Sequence, residues 1–153
     1  MSDSPSLQKA SKIVEQVEKM KNDDLVDFTE LSAEVHSKLK LQEFKILEEA
    51  LTNTEFHHKY ITMLFRLKRK VNTLYQIERA LYRVLYTYYT DEYPRVLRTK
   101  EIRDSHIKSD QHYLKFENTL QEFRLMVEYL DKVDQLFKER GFSISTASRI
   151  MDD

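Results

Sequence analysis

The chain has 153 residues, with 25 basic and 26 acidic side chains, one glycine, two prolines and no cysteine. So few turn-forming residues argue against a β-sandwich or an α/β fold of this length and predict an all-α protein. The lack of cysteine excludes disulfides, thiolate chemistry and cysteine-ligated zinc. The polar start MSDSPSLQKAS, and the absence of any apolar run of roughly 20 residues, predict a soluble, cytoplasmic protein.

The first half of the chain is predicted to hold two helical segments. Residues 6–21 have an amphipathic helical pattern, and NDD at 22–24 offers a turn or a helix cap. Residues 25–51 form the second segment, with a possible interruption near Ser37. The stretch LTNTEF at 51–56 predicts a break, because threonine and asparagine are poor helix formers and good caps.

The second half is predicted to hold two long helices. The first spans 55–89, and Pro94 ends it by disfavouring helical angles at Tyr93, so that 90–100 form a break. The second spans 100–140, and Gly141 is expected to end it in a left-handed conformation, with a short helix over 143–151. The apolar stripes of the long helices exceed what a two-helix hairpin can cover, which favours self-association.

Charge is unevenly distributed along the chain. Residues 1–56 carry a net charge of −5, residues 57–103 carry +7, and residues 104–153 carry −3. Residues 59–83 contain seven basic side chains and a single acid, Glu78. An ordinary solvated helix face would mix both signs, so this helix face is suited to a polyanion.

Tyrosines border the basic face. Tyr75, Tyr82, Tyr86 and Tyr89 follow one another at helical spacing, between the apolar stripe and the arginines. Proteins that bind single-stranded nucleic acid place cations beside aromatic rings, on which bases stack with about 1–3 kcal/mol each. Tyrosines at the edge of an apolar stripe also commonly pack there with their hydroxyls in water. Both interpretations of these tyrosines remain open at this point.

No catalytic motif is recognisable in the sequence, so we do not expect an enzyme, and no cofactor is expected. The only metal-type spacing is Glu55 to His58, and a di-iron helical bundle would need two such pairs with further carboxylates. Surface histidines are therefore the favoured interpretation, and no metal site is predicted.

The order of these blocks resembles the UvsY family, the recombination mediator proteins of T4-like phages. The strongest match is LKFENTLQEFRLMVEYLDKVDQLFKERGFSISTASRIMD at 114–152, and the resemblance covers about 36–152. The family pattern Leu-Lys-Ala-Arg-Leu-x-Tyr-Tyr falls on 82–89. Its lysine corresponds to Arg83, whereas its arginine corresponds to Leu85, which loses that charge. The resemblance and the basic face together suggest these single-stranded DNA contacts: Lys68, Arg69, Arg79, Arg83, Tyr82 and Tyr86.

The resemblance also implies a role and an assembly. UvsY-like proteins bind single-stranded DNA as ring-like homo-oligomers and help to load a RecA-like recombinase in competition with the phage single-strand-binding protein. They contact both proteins, need no cofactor and would act in the host cytoplasm, with no membrane involved. Residues 1–30 are expected to be an N-terminal extension, and the sequence does not say whether this extension is ordered. Residues 31–153 are expected to form a single helical domain for DNA binding and oligomerisation. Oligomerisation through the C-terminal helix is expected to use Phe116, Leu120, Phe123, Val127, Leu130 and Phe137.

Two other functions fit parts of the pattern. A helical oligomeric adaptor could dock proteins without binding DNA, with its basic face meeting acidic partner segments. A membrane-surface amphipathic helix fits less well, because the apolar stripe beside the basic face is needed for packing. Competition with unlabelled poly-dT would separate a DNA-binding protein from an adaptor.

Overall fold

A computed structural model describes residues 4–25, 27–39 and 46–152 of the chain. The helices are α1 (Pro5–Asp24), α2 (Phe28–Leu39), α3 (Ile46–Thr87), α4 (Lys100–Ser109) and α5 (Gln111–Asp152). A single π-helical turn, Tyr88–Glu92, follows α3 directly. No strand occurs in these described ranges. The all-α prediction is therefore confirmed, as is the break before α4, whereas several helix boundaries differ.

The predicted break at 51–56 is wrong, because α3 runs through it without interruption. Thr54 donates its hydroxyl to the carbonyl of Ala50 at 3.0 Å, so its polar group is satisfied inside the helix. Asn53 is buried, donates to the Phe137 carbonyl at 3.4 Å and accepts from Arg140 Nη1 at 2.9 Å. These tertiary contacts outweigh a helix-propensity deficit of a few tenths of a kcal/mol per residue. Ser37 likewise lies within α2, so the interruption expected there is absent.

The end of the last helix also differs from the prediction. Gly141 has no positive φ, and α5 continues through it to Asp152. A Cβ atom on Gly141 would lie 3.3 Å from Nδ2 of Asn53, so this glycine permits a close helix–helix approach and does not form a turn. The predicted 100–140 helix is instead divided at Asp110, whose ψ of 139° is extended.

The chain forms two compact units. The first contains residues up to Leu25 together with Arg69–Arg124, which comprise α1, the second half of α3, the π turn, α4 and the first part of α5. Ser11 of α1 lies 3.1 Å from Nε2 of His112, and Lys21 pairs with Glu122 at 2.9 Å, so α1 runs parallel to α5. The buried apolar side chains of this unit are Ala10, Val14, Val17, Leu74, Leu81, Leu85, Ile107, Tyr113, Phe116, Leu120 and Phe123.

The second unit contains α2, the first half of α3 and the later part of α5. Tyr60 donates its hydroxyl to Glu34 of α2 at 2.8 Å, and Phe28 of α2 lies edge-on to Tyr129 of α5 with ring centroids 4.8 Å apart. Thus α2 packs against both long helices. The buried apolar side chains are Leu31, Val35, Tyr60, Leu64, Leu67, Met126, Leu130, Val133, Phe137 and Ile144.

The apolar stripe proposed for oligomerisation lies largely inside the chain. The sequence argument assumed a two-helix hairpin, but α1 and α2 each add a third helix that covers part of this stripe. Of the six candidate positions, only Val127 is half-buried and the other five are buried: Phe116, Leu120, Phe123, Leu130 and Phe137. Self-association through these five side chains would compete with the packing inside the chain, and their role in oligomerisation stays a prediction.

Candidate nucleic-acid interface

The outward face of α3 in the first unit carries exposed arginines. Arg69, Arg79 and Arg83 are all exposed, and Leu74 and Leu81 bury the opposite side of the helix. No carboxylate of a described residue lies within 4.0 Å of these three guanidinium groups. A helix face with free guanidinium groups can pair with phosphate oxygens without first breaking internal ion pairs.

A shallow depression lies on this face, lined by Glu78, Arg79, Tyr82 and Arg83. Two of the arginines and one of the predicted tyrosines therefore occur together. The single acid of the basic stretch is also present, and it points towards α5, because the Tyr113 hydroxyl donates to Glu78 Oε1 at 3.4 Å.

Tyr82 is held by a neighbouring helix. Its hydroxyl donates to Asp104 Oδ1 of α4 at 2.7 Å. This bond raises the pKa of Tyr82 and lowers the pKa of Asp104, because it favours the phenol and the carboxylate. Tyr89 makes the same kind of bond to Asp110 Oδ2 at 2.6 Å. Both tyrosines are therefore packed against neighbouring residues as the packing interpretation expects, but their hydroxyls bond to carboxylates and do not point into water. Tyr82 also lines the depression.

Tyr86 differs from these two tyrosines. Its side chain is 41% exposed, and its hydroxyl accepts from Arg103 Nη1 at 3.0 Å. The Arg103 guanidinium also lies 5.2 Å from the ring centroid, a cation–π contact. Tyr75, at 39% exposure, is the other open ring of the predicted row. Tyr86 is thus an exposed ring in cation–π contact with the half-buried Arg103.

Lys68 belongs to the second unit, where its ammonium nitrogen pairs with Asp131 Oδ1 at 3.4 Å. An exposed pair of this kind contributes little to stability, yet it reduces the charge available to a ligand. Arg69, the next residue, lies in the first unit.

The structure explains one departure from the family pattern. Leu85, at the position of a family arginine, has 0% exposure and is part of the core of the first unit. An arginine at this position would bury a charge without a partner, which is costly. The side chain at this position therefore supports packing, and Arg83 carries the positive charge of the motif.

The histidines are less uniformly at the surface than expected. Glu55 and His58 are exposed, but His57 contacts Asp134 at 2.7 Å and His112 contacts Asp110 at 2.8 Å, and both rings are half-buried. Across the described ranges, no three His, Asp or Glu side chains cluster as metal ligands would. None of the described helices is long and apolar enough to cross a membrane.

Two contributors to this interface were missed by the sequence argument. Arg103 and Asp104 lie 17 and 22 residues from their partners Tyr86 and Tyr82, beyond the break at Pro94. Helical periodicity relates positions within one helix only, so no sequence signal joined these pairs.

Comparisons with known proteins identify the family of this chain. The profile of one protein family, described as "Recombination, repair and ssDNA binding protein UvsY", matches residues 19–151. The chain belongs to the UvsY family. The resemblance inferred from the sequence is thereby confirmed, and the match begins earlier than expected, within α1. This membership places the chain among the recombination, repair and single-stranded DNA-binding proteins of phages.

The fold of the UvsY family is also recognisable. Crystal structures of the recombination mediator protein UvsY of bacteriophage T4 are similar to this chain in three lattice types. Type IV has a TM-score of 0.73 at 16% identity, covering 83% of this chain and 98% of that one. Type II has 0.74 at 17% over 84% and 97%, and type I has 0.72 at 18% over 80% and 97%. No curated protein matches the sequence. At such identities the structures establish the fold alone.

Proposed function

We propose that this protein binds single-stranded DNA through the outward face of α3 in the first unit. The observation that carries the proposal is the set of exposed guanidinium groups of Arg69, Arg79 and Arg83, none paired with a described carboxylate, in a member of a single-stranded DNA-binding family. These groups would neutralise phosphates, and the partly open ring of Tyr86 offers a surface for a base.

A single face with three arginines would bind weakly at physiological salt. We propose that several copies form a ring-like homo-oligomer, so that one strand contacts the same face on successive subunits. The weak contacts of the individual subunits then add up to a high overall affinity for the strand. We place the assembly contact on one side of α5 in the second unit, where exposed apolar side chains alternate with exposed polar ones such as Lys132 and Glu139. Leu125, Leu136 and Ile150 are 53%, 45% and 71% exposed, and their spacings of about three and four turns place them on one side of the helix.

The proposed cellular role follows from the family. The oligomer would act as a recombination mediator that helps a RecA-like recombinase to displace the phage single-strand-binding protein from DNA in the host cytoplasm. Contacts with the recombinase and with the single-strand-binding protein belong to this proposal. The role needs no chemical step and no cofactor, and it involves no membrane. The division into an N-terminal extension, 1–30, and a single DNA-binding and oligomerisation domain, 31–153, stays a prediction.

The test is binding of a fluorescent poly-dT strand to the full chain as salt is raised. The wild-type protein should bind, lose affinity steeply with salt and release the label to unlabelled poly-dT, because phosphate contacts release counterions. Arg79→Ala with Arg83→Ala should lower the affinity at least tenfold without changing the oligomer size, as two phosphate contacts are lost.

The matched control removes two positive charges elsewhere. Lys115→Ala with Lys138→Ala changes two exposed lysines of α5, of which Lys138 pairs with Asp134 one turn earlier at 3.0 Å. This control should bind nearly as well as the wild-type protein. Absent binding, or binding insensitive to salt, would contradict the proposal and leave the adaptor function.

A further inference from the structure

The N-terminal helix is built into the first unit. The UvsY family match begins at residue 19, so the first fourteen residues of α1, 5–18, precede it. Within that segment Ser6, Ala10, Val14 and Val17 are buried, and Ser11 contacts His112 of α5. Ser4 caps the helix by accepting from the Leu7 amide at 3.0 Å. This part of α1 therefore packs against the helices of the first unit that belong to the family match.

The side of α1 that faces α3 lies next to the proposed DNA-binding face. A second shallow depression is lined by Ser6 and Lys9 of α1 and by Arg83, Val84 and Thr87 of α3. Arg83 also lines the depression that contains Arg79 and Tyr82. The two depressions therefore share one arginine, and the concave surface continues from α3 onto α1.

The direction of α1 relative to α3 keeps Lys9 beside Arg83. Lys9 lies near Arg83, and further along α1 the carboxylate of Asp24 lies 3.6 Å from the ammonium of Lys70, so α1 runs antiparallel to α3. Three of the four lysines of α1 lie within about 80° of one another around the helix. They are exposed, and none has a described carboxylate within 4.0 Å: Lys9, Lys12 and Lys19.

The acidic residues of this part of α1 point elsewhere. At about 100° per residue, Glu18 lies about 180° from Lys9, on the side of Ser11, which faces α5. Glu15 lies about 120° from Lys9 and about 60° from Lys12. The edge of α1 next to Arg83 therefore carries Lys9 and neither of these acids, and Lys12 lies between that edge and Glu15.

We propose that α1 supplies a second row of phosphate contacts, through Lys9 and Lys12, to the single strand that binds α3. This inference rests on the proposed function and extends its site from one helix to two. Lysine ammonium groups act as point charges for phosphate oxygens and need no particular base, so the contacts would add affinity without sequence preference.

The experiment compares the full chain with Lys9→Gln plus Lys12→Gln, using labelled poly-dT across a salt series. Each phosphate contact to a single strand contributes about 0.7 to the slope of log affinity against log salt. The double variant should therefore lose about 1.4 units of slope per engaged protomer and bind roughly tenfold more weakly at 0.1 M salt. Lys9→Arg with Lys12→Arg should retain the wild-type slope, because the charges are kept.

The control is Lys115→Gln with Lys138→Gln. Lys115 is exposed on α5, three residues after the histidine that contacts Ser11, and Lys138 pairs with Asp134. This variant should bind like the wild-type protein. A wild-type slope in the α1 glutamine variant, or equal losses in the arginine variant, would overturn the inference. If the wild-type protein binds but the glutamine variant is unchanged, only the role of α1 fails. If the wild-type protein does not bind, the proposed function fails with it.

Discussion

Glu78 connects the basic face of α3 with the core of the first unit. Its carboxylate accepts from the Tyr113 hydroxyl, and Glu117 lies one turn after Tyr113 on α5. Burial and the nearby charge of Glu78 raise the pKa of Glu117, and burial and the same carboxylates raise the pKa of Tyr113. Two carboxylates, Glu78 and Glu117, are thus close together in a partly buried position beside the arginines, where the charge of each disfavours the charge of the other.

We predict that Glu117→Gln stabilises the protein at neutral pH. The folded state binds the Glu117 proton more tightly than the unfolded state, so the contribution of this group to stability falls as pH rises from the ordinary value of about 4.5 through the raised pKa. Glutamine cannot ionise, so the melting temperature at pH 7 should rise by about 1–3 °C. The gain should disappear below pH 4.5.

Thermal unfolding followed by circular dichroism across pH 4–8 measures this effect. Glu128→Gln, which removes an exposed carboxylate from the same helix, is the control and should have no comparable effect. An equal gain for Glu117→Gln at pH 4 and pH 7 would show that ionisation is not the cause.

The start of α5 depends on one side chain. Asp110 interrupts the predicted 100–140 helix, and its Oδ1 accepts from the backbone amide of His112 at 2.8 Å, as an N-cap does. Its other oxygen accepts the Tyr89 hydroxyl, and Oδ1 also contacts the His112 ring, which in turn contacts Ser11 of α1. This carboxylate therefore joins the start of α5 to the π turn and, through His112, to α1.

We predict that Asp110→Ala lowers the free energy of unfolding by about 2–3 kcal/mol, because it removes a helix cap and leaves the half-buried Tyr89 hydroxyl without its acceptor. Urea unfolding measures the change. Asp110→Asn should lose about half as much, since asparagine is also a good N-cap. Equal losses for the two variants would show that the charge, and not the cap, is responsible.

At the scale of the whole molecule, the buried side of α5 stabilises the fold, whereas its exposed side is the one proposed for self-association. Phe123 has 0% exposure, so a charge at this position would disrupt the fold itself. Leu125 and Leu136 are about half exposed on another side of the helix, and burying them in an assembly would remove apolar surface from water. Substitutions on the two sides therefore separate folding from self-association.

We predict that Leu125→Glu with Leu136→Glu reduces the oligomer to smaller species while helix content is kept, because charges repel across the proposed contact. Light scattering gives the mass and circular dichroism the helix content. Affinity for long poly-dT should fall with the mass, since avidity is lost. Phe123→Glu is the comparison and should lose helical structure. An unchanged mass in the leucine double variant would place the assembly surface elsewhere.

Much of the fold could be predicted from local patterns. The scarcity of glycine and proline predicted helices, and Pro94 predicted the break before α4, because both effects act on backbone angles within a few residues. The break at 51–56 and the glycine end at Gly141 were wrong for a common reason. Asn53 and Gly141 lie against each other across α3 and α5, and a packing contact between distant residues overrides a propensity of less than about 1 kcal/mol.

The sequence by itself determined that this protein is all-helical, that the outward side of α3 is cationic and that the chain resembles the UvsY family. Composition, periodicity and the order of residues carry those properties, and they do not depend on which helices meet. Only the tertiary structure decided that α1 and α2 cover the stripe of α5, that Asp104 binds the Tyr82 hydroxyl and that Lys9 lies beside Arg83. Such pairs are far apart in the chain, and only the packing of helices within each unit brings them together.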